Sequence, residues 1–345
     1  MSNKGITDHA DRRHALFGIP LSVLDLSPIL AGGTVARSLQ NTLDLAQHAE
    51  QWGYHRYWLA EHHNTPSVAS SATSLVISHV AAGTSTLRVG SGGIMLPNHA
   101  PLVIAEQFGT LDALYPGRID LGLGRAPGTD GLTAKALRGE RGGTGHNFPE
   151  LLEELKAYMN PGGAAAKPPV RAIPGEGADV PIWLLGSSDF SALLAAKLGM
   201  PFSFAGHFSP MFTVPAMNLY RSSFQPSSEL ARPYGMVAVN IVAADTDEEA
   251  EYLSTSLQQA FLWLIRNNPQ PLPPPVRSMD TLWTSQERHA LQQQLGGTIT
   301  GSPATLKEKI ARYIEATGAD ELMISSHIYD HAARLRSYEI IAGLH

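Results

Sequence analysis

The chain alternates short apolar runs with longer segments of helical period, and this alternation recurs along most of its length. Alternation of this kind is typical of βαβ units, in which helices connect parallel strands. Eight apolar runs are predicted to be strands, namely Phe17–Leu24, Tyr54–Ala60, Leu87–Leu96, Arg118–Gly124, Ile182–Gly186, Pro201–Gly206, Gly235–Ala243 and Glu321–Ser326. Eight strands, each followed by helical material, predict an α/β fold of the closed (β/α)8 TIM-barrel type. A doubly wound open sheet is the alternative.

Two segments break this rhythm and are predicted to be insertions after the fourth and seventh strands. Residues 127–180 contain an irregular Gly-rich loop, a helix near 149–159 and a surface connection over 160–180. Residues 266–300 carry five prolines, which cannot lie inside a helix or a central strand. Because α/β barrels of this length fold as one unit, residues 1–345 are expected to form a single domain. Residues 1–14 are expected to be flexible.

Composition and charge exclude several classes of function. The formal net charge of −6 supplies no basic field for a phosphate backbone, so nucleic acid is not an expected partner. The chain has no cysteine, which excludes disulfides, thiolate chemistry and Cys-ligated metals. The N-terminal residues do not resemble a signal peptide, and the apolar runs are strand-sized. We therefore expect no membrane association and a cytoplasmic location.

Polar residues directly after the second strand are the first candidates for chemistry. In such barrels the active site lies at the carboxyl ends of the strands, and strand two ends in Glu61-His62-His63-Asn64. A histidine there can act as a general base or stabilise a developing anion. Since neighbouring strand residues point to opposite sides, only one of the two is expected to face the pocket. The alternative is a polar strand end that hydrogen-bonds its own loop, and no metal is expected because further spaced ligands are missing.

Residues at the ends of the next three strands favour a phosphorylated ligand with a flat ring. The third strand contains Gly90–Gly93, where glycines mark a bulge, a ligand close to the backbone, or both. Arg125 ends the fourth strand, and its planar guanidinium matches phosphate oxygens. Ser187 and Ser188 follow the fifth strand directly before a helix, whose first N–H groups attract an anion. Together they predict a phosphate cradle, although Ser188 also fits a plain N-cap.

Three motifs, taken in this order and spacing, resemble the bacterial-luciferase-like flavin monooxygenases. They are Leu59-Ala60-Glu61-His62-His63, the segment from Val89 to Pro97, and the segment from Gly117 to Arg125. The resemblance continues through residues 183–201 and 316–320, so it covers nearly the whole chain. Within the family, the chain most resembles the single-chain luciferase-like monooxygenases.

The resemblance implies a fold, a cofactor and a reaction. It implies a (β/α)8 barrel that uses reduced FMN and O2 to oxidise a small organic substrate through a peroxyflavin. A separate NAD(P)H:flavin reductase would deliver the reduced FMN. His62 matches the catalytic histidine, and residues 266–300 match a mobile lid that excludes water. The positions that match cofactor contacts are Glu61 beside the flavin, the pair Gly92-Gly93 as a non-proline cis peptide against its ring, and Arg125, Gly186, Ser187 and Ser188 near its phosphate.

The chain also departs from the luciferases in ways that narrow its function. Gly124 stands where luciferases have a reactive cysteine, and Gly186 stands where they have a carboxylate. These changes argue against light emission and long-chain aldehyde substrates but not against FMN binding. Two other functions remain: a deazaflavin (F420)-dependent oxidoreductase on the same barrel, and a non-catalytic flavin-binding protein. Family members are usually dimers or larger, so a homo-oligomer is expected.

Overall fold

The computed structural model describes residues 16–126, 128–138, 145, 147–163 and 169–344. Its strands are β1 (Leu21–Asp25), β2 (Arg56–Leu59), β3 (Arg88–Met95), β4 (Ile119–Gly124), β5 (Ile182–Gly186), β6 (Phe202–Phe204), β7 (Gly235–Ala243), β8 (Ile299–Gly301) and β9 (Glu321–Ser325). Its helices are α1 (Val35–Gln51), α2 (Thr73–Ala82), α3 (Pro101–Leu114), α4 (Gly131–Arg138), α5 (Phe148–Met159), α6 (Asp189–Leu198), α7 (Thr213–Ser223), α8 (Asp247–Ile265), α9 (Ser285–Gln294), α10 (Pro303–Thr317) and α11 (His331–Ala342). None of these helices is long and apolar enough to cross a membrane. Residues 1–14, which we expect to be flexible, lie outside the described residues.

Eight of the nine strands close into a barrel in which every pairing is parallel. The order around the barrel is β1, β2, β3, β4, β5, β6, β7 and β9, and β9 pairs again with β1. Strands β6 and β7 also pair with each other, with Phe202 opposite Gly235, so the ring of eight strands is continuous. The predicted (β/α)8 barrel is therefore confirmed, and the open doubly wound sheet is excluded.

The first strand begins at Leu21, so the predicted start at Phe17 is wrong. Phe17 and Gly18 have positive φ angles of 51° and 86°, and they form a tight turn. Leu16 and Ile19 close this turn with two reciprocal backbone hydrogen bonds of 3.1 Å. Because Phe17 and Ile19 are themselves apolar, the turn cannot be distinguished from a strand by hydrophobicity.

A helix and a strand lie within the insertion at 266–300. Thr284 begins α9 with a capping box, since its hydroxyl accepts from the Glu287 N–H and the Glu287 carboxylate accepts from the Thr284 N–H. The strand β8 follows and pairs with Ile241–Ala243 at the end of β7. The sequence pattern does not predict β8 because it has three residues and directly follows Gly297 and Thr298 in an irregular segment.

The segment after β4, expected to be irregular, contains the helix α4. Asp130 begins this helix, because its Oδ1 accepts from the N–H groups of Leu132 (2.9 Å) and Thr133 (3.0 Å). None of the α4 residues is buried, and Leu132 is 84% exposed. The helix has eight residues and buries none of them, so the sequence offers no long apolar-periodic segment here. The remainder of the loop at 127 and 139–144, and residues 164–168 of the surface connection, lie outside the described residues.

The barrel interior contains its own aromatic cluster, separate from the core between barrel and helices. Trp58 of β2 and Trp183 of β5 meet edge to face, with ring centroids 5.3 Å apart. Met236 and Ala238 of β7 pack in the same cluster. Since strand side chains alternate between faces, Asn240 is the next inward position toward the carboxyl end of β7.

Four charged side chains form an ion network inside the barrel, one layer nearer the amino ends of the strands. Arg56 donates through Nη1 to Asp120 (2.8 Å) and through Nε to Glu321 (3.1 Å), and Arg88 donates to Asp120 (2.6 Å). Arg56, Asp120 and Glu321 are fully buried, and the Tyr234 hydroxyl donates to Glu321 (2.9 Å). Burial alone would raise the pKa of Asp120, but Arg56 and Arg88 lower it to about 2. Two positive and two negative charges thus compensate one another away from water.

We expect Arg56→Met to lower the free energy of unfolding by about 3–5 kcal/mol, because it leaves two buried carboxylates without their shared partner. Denaturant unfolding followed by circular dichroism measures this loss. The matched control is Arg312→Met, because Arg312 pairs with Glu308 on the exposed surface of α10. This control should leave the stability nearly unchanged, and equal losses in the two variants would contradict the role of the network.

Candidate functional site

Glu61, at the carboxyl end of β2, is surrounded by polar groups from its own strand end and from the end of β3. Its carboxylate is buried and accepts from the backbone N–H of Met95 (3.0 Å). The Nε2 atoms of His63 and His99 lie 2.8 Å and 2.9 Å from its Oε1. The side-chain amide of Asn98 donates to the same oxygen at 3.4 Å. Glu61 therefore joins the ends of β2 and β3.

The same contacts keep Glu61 ionised. Burial alone would raise the pKa of Glu61, but hydrogen bonds from His99, His63 and the Met95 N–H hold it below its usual value. The ligand atoms of Glu61, His63 and His99 lie within 4.8 Å of one another, a spacing that a metal ion would also tolerate. Hydrogen bonding by itself accounts for the positions of these groups. We call Glu61, His63 and His99 a hydrogen-bonded clamp.

The two adjacent histidines, which follow β2 outside the strand itself, have different surroundings. His63 contacts Glu61, whereas His62 hydrogen-bonds the backbone of Gly128 and lies close enough to His207 to affect its pKa. Burial lowers the pKa of His62 by more than the Gly128 contact raises it, so the imidazole is neutral at pH 7. The two histidines therefore differ in their partners, and His63 is the one that contacts Glu61.

The peptide bond between Gly92 and Gly93 is cis, as the resemblance implies. The pairing of β3 with β4 shifts here, since Gly92 pairs with Gly122 and Ile94 pairs with Leu123. A Cβ atom on Gly92 would lie 2.7 Å from a methyl carbon of Leu24, and one on Gly93 would lie 2.8 Å from the Gly122 carbonyl oxygen. The predicted bulge is therefore confirmed, and neither position has room for a side chain.

Arg125 lies next to the start of α6, where the sequence predicts a phosphate cradle. Its Cζ atom is 4.4 Å from the centroid of the Phe190 ring, in the first turn of α6. Ser187 and Ser188 directly precede this helix, and Ser188 is its N-cap without a side-chain capping bond. Within the described part of the chain, no carboxylate forms an ion pair with Arg125. The stacking on Phe190 thus holds a positive charge, without an ion pair among the described residues, beside the N-terminus of α6, whose first turn also carries Asp189.

Gly186 lies at the end of β5, against α6. A side chain at this position would collide with Ser191 of α6. The packing explains why glycine replaces the carboxylate expected at the matching position of luciferases. Any contact between Gly186 and a ligand is therefore made by its backbone.

Three polar residues on the other side of the barrel mouth are missed by the sequence reasoning. They are His207 after β6, Asn240 within β7 opposite the last residue of β9, and His327 after β9. The side-chain amide of Asn240 donates to the His207 carbonyl oxygen at 2.9 Å. The rule that selects polar residues after β2, β4 and β5 would also select His207 and His327, whereas Asn240 lies inside its strand and has no such signal.

The imidazoles on this side are neutral at physiological pH. Burial first, and then the nearby His327 and His62, lower the pKa of His207 to about 3. Burial first, and then Arg334, lower the pKa of His327 to about 4. The mouth of the barrel therefore has a cationic side near Arg125 and an uncharged side near His207.

Comparisons with known proteins decide the family. A family model described as luciferase-like monooxygenase matches residues 19–321. The chain belongs to the luciferase-like monooxygenase family. It is 51% identical over 322 residues to a luciferase-like monooxygenase of Escherichia coli (strain K12), covering 93% of this chain and 96% of that protein. It is 34% identical over 334 residues to the N-acetyl-S-alkylcysteine monooxygenase of Bacillus subtilis (strain 168), covering 94% and 97% respectively.

Solved structures share this luciferase-like barrel. The structure of apo-MsnO8 is 34% identical, with a TM-score of 0.83, and covers 94% of this chain and 98% of that one. The FMN complex of the oxygenating constituent of 3,6-diketocamphane monooxygenase from Pseudomonas putida is 18% identical, with a TM-score of 0.68 over 94% and 97%. An F420-dependent secondary alcohol dehydrogenase is 13% identical, with a TM-score of 0.66 over 95% and 99%. The last two likenesses show the fold alone.

We expect Glu61→Gln to make the stability of this luciferase-like barrel less sensitive to acid. A carboxyl whose pKa is lower in the folded protein stabilises the fold above its unfolded pKa, and this contribution is lost as pH falls through the folded pKa. Glutamine does not titrate, so the stability difference between wild type and variant should shrink as pH falls from about 6 to about 3.5. Urea unfolding across this range measures the difference.

The exposed substitution Glu308→Gln on α10 serves as the control for this series. The difference in free energy of unfolding between Glu308→Gln and the wild type should stay small at every pH. A Glu61→Gln difference that is also independent of pH would show that the clamp does not depend on an ionised carboxylate.

Proposed function

We propose that this protein is an FMN-dependent monooxygenase that uses reduced FMN and O2 to oxidise a small organic substrate. The observation that carries the proposal is the uncompensated charge of Arg125 beside Ser187, Ser188 and the N-terminus of α6. This group of residues fits a phosphate, and it lies in the same barrel mouth as the neutral imidazole of His62. Membership of the luciferase-like monooxygenase family supports the reaction class.

The residues present fit FMN at its phosphate end. Arg125 would hold the phosphate by a charge-assisted hydrogen bond, and Ser187 and Ser188 would contribute hydroxyls and backbone N–H groups. When bound and reduced, FMN supplies the electrons that activate oxygen, and the protein supplies binding and orientation. A separate NAD(P)H:flavin reductase would provide the reduced flavin.

The chain's own groups then control protons and water around the reaction. His62 is neutral because burial lowers its pKa, so it is ready to accept a proton at neutral pH. Glu61 holds His63 and His99 and thereby fixes the strand end that carries His62. The insertion at 266–300 would cover the mouth and limit the access of water.

One experiment separates this function from its two rivals. The protein would be supplied with reduced FMN or reduced F420, under 18O2, with N-acetyl-S-methylcysteine among the substrates because one relative is named for that class. One 18O atom in a product formed only with FMN supports the proposal. Oxygen-independent reduction or oxidation with F420 would support a deazaflavin enzyme instead. FMN binding without product from a broad substrate panel would support a flavin-binding protein.

We expect Arg125→Ala to raise the FMN dissociation constant about tenfold to a hundredfold. A lost charge-assisted phosphate contact costs about 1.5–3 kcal/mol, which corresponds to this range. Quenching of FMN fluorescence measures the constant. Arg312→Ala, on the exposed surface of α10, is the control and should leave it unchanged. An unchanged constant in Arg125→Ala would remove the phosphate assignment.

We expect His62→Ala to keep FMN affinity within about twofold but to slow substrate oxidation by about 10²–10⁴-fold, the usual contribution of a positioned acid or base. The rate of product formation in single turnovers, together with the product formed per FMN oxidised, tests this expectation. A loss of melting temperature together with FMN affinity would instead indicate a structural histidine.

His63→Ala is the internal control for this variant. Because His63 contacts Glu61 rather than the pocket, its loss should act mainly on stability. If His63→Ala slows oxidation more than His62→Ala does at equal FMN affinity, the assignment of the two histidines is reversed.

A further inference from the structure

We propose that the β6–β7–β9 side of the barrel mouth binds the substrate and selects an uncharged group that carries an N–H or O–H, such as an amide or an alcohol, through Asn240 and His207. This inference rests on the proposed monooxygenase function, since it assigns the substrate half of the same site.

Asn240 is the first observation. It is 2% exposed, and its Nδ2 donates to the His207 carbonyl oxygen at 2.9 Å, which orients the amide. Its Oδ1 is buried and has no hydrogen-bond partner among the described residues. A buried acceptor without a partner is unfavourable and is uncommon in folded proteins. The oxygen is therefore placed to accept a hydrogen bond from a ligand.

The position of Asn240 directs this oxygen into the barrel mouth. Met236 and Ala238 precede it on the same face of β7 and pack inside the barrel. Asn240 pairs in register with Ser325 on β9, and the Ser325 hydroxyl lies 3.5 Å from Nδ1 of His327. The amide thus lies at the carboxyl ends of the strands, where barrel enzymes bind substrates.

His207 supplies a second polar atom beside Asn240. Its Nδ1 is buried and, like Asn240 Oδ1, has no partner among the described residues. The backbone of His207 accepts from Asn240 at 2.9 Å, so the two residues are adjacent. Their two unpartnered polar atoms define the proposed binding position.

The charge balance of this side favours an uncharged ligand group. His207 and His327 are neutral at pH 7, because burial and their neighbours lower their pKa to about 3 and about 4. The charged groups beside His327 are Arg334 and Asp25, which pair with each other at 2.8 Å and are buried. A carboxylate or an ammonium group bound here would find no compensating charge from these residues.

The β4–β5 side of the mouth is positively charged rather than neutral. Arg125 and the start of α6 provide positive potential for an anion. The phosphate of FMN therefore belongs to the β4–β5 side, and the uncharged side is left for the substrate.

The test uses four methyl thioethers that are alike except at one end: 3-(methylthio)propionamide, 3-(methylthio)propanol, 3-(methylthio)propionate and 3-(methylthio)propylamine. Their dissociation constants from the protein loaded with oxidised FMN are measured by ligand-observed NMR. The amide and the alcohol should bind at least tenfold more tightly than the two charged compounds. Equal binding of the charged compounds, or no binding of either uncharged one, overturns the inference.

Two variants and one control link this preference to the named residues. Asn240→Leu should weaken amide binding at least tenfold while FMN affinity stays within twofold of the wild type. His207→Phe should do the same and replaces Asn240→Leu if that variant does not fold. Asn218→Leu makes the same change on the exposed surface of α7 and should alter neither constant.

The readouts separate this inference from the proposed function. A wild type that binds FMN but shows no loss of amide binding in either variant refutes the substrate assignment alone. An Asn240→Leu variant that loses FMN affinity also refutes it, because Asn240 would then contact the flavin. A wild type that binds no FMN refutes the proposed function itself.

Discussion

The rest of the structure depends on the ion pairs that Arg56 forms with Asp120 and Glu321 inside the barrel. These three side chains come from β2, β4 and β9, so a single guanidinium connects strands on separate parts of the ring. Its Cζ atom also lies 4.9 Å from the centroid of the Trp183 ring, which links the ion network to the aromatic layer above it. Such charges are tolerated away from water only when every partner is in place, so the network and barrel closure require each other.

The half of the mouth that carries Arg125 lies above this network. Close backbone packing and one buried carboxylate hold it in place. Gly92 and Gly93 have no room for a Cβ atom, so β3 lies directly against β2 and β4. Glu61 then ties the strand end of His62 and His63 to the segment that carries His99. The groups proposed to act on the flavin are therefore held by strand ends and a buried carboxylate. Groups held in this way need little reorganisation when a ligand binds.

The two halves of the mouth differ in charge, and this difference organises the proposed chemistry. Arg125 carries a positive charge that no described carboxylate compensates, whereas burial keeps His207 and His327 neutral. A ligand with a phosphate and an uncharged substrate would consequently bind on opposite sides. His62 hydrogen-bonds the backbone of Gly128 and lowers the pKa of His207.

The sequence by itself determined the barrel and its eight strands, because periodicity is a local signal. Polar strand ends and the family resemblance indicated Glu61, His62, Gly92-Gly93 and Arg125 as candidate site residues. The sequence did not predict α4 or β8, since the first buries no residue and the second has three residues. Only the tertiary structure decided which histidine contacts Glu61, and that Arg125 stacks on Phe190. It alone also brought Asn240 and His207 together. These contacts join residues from different strands, and their geometry depends on strand register and barrel closure, which no local pattern in the chain encodes.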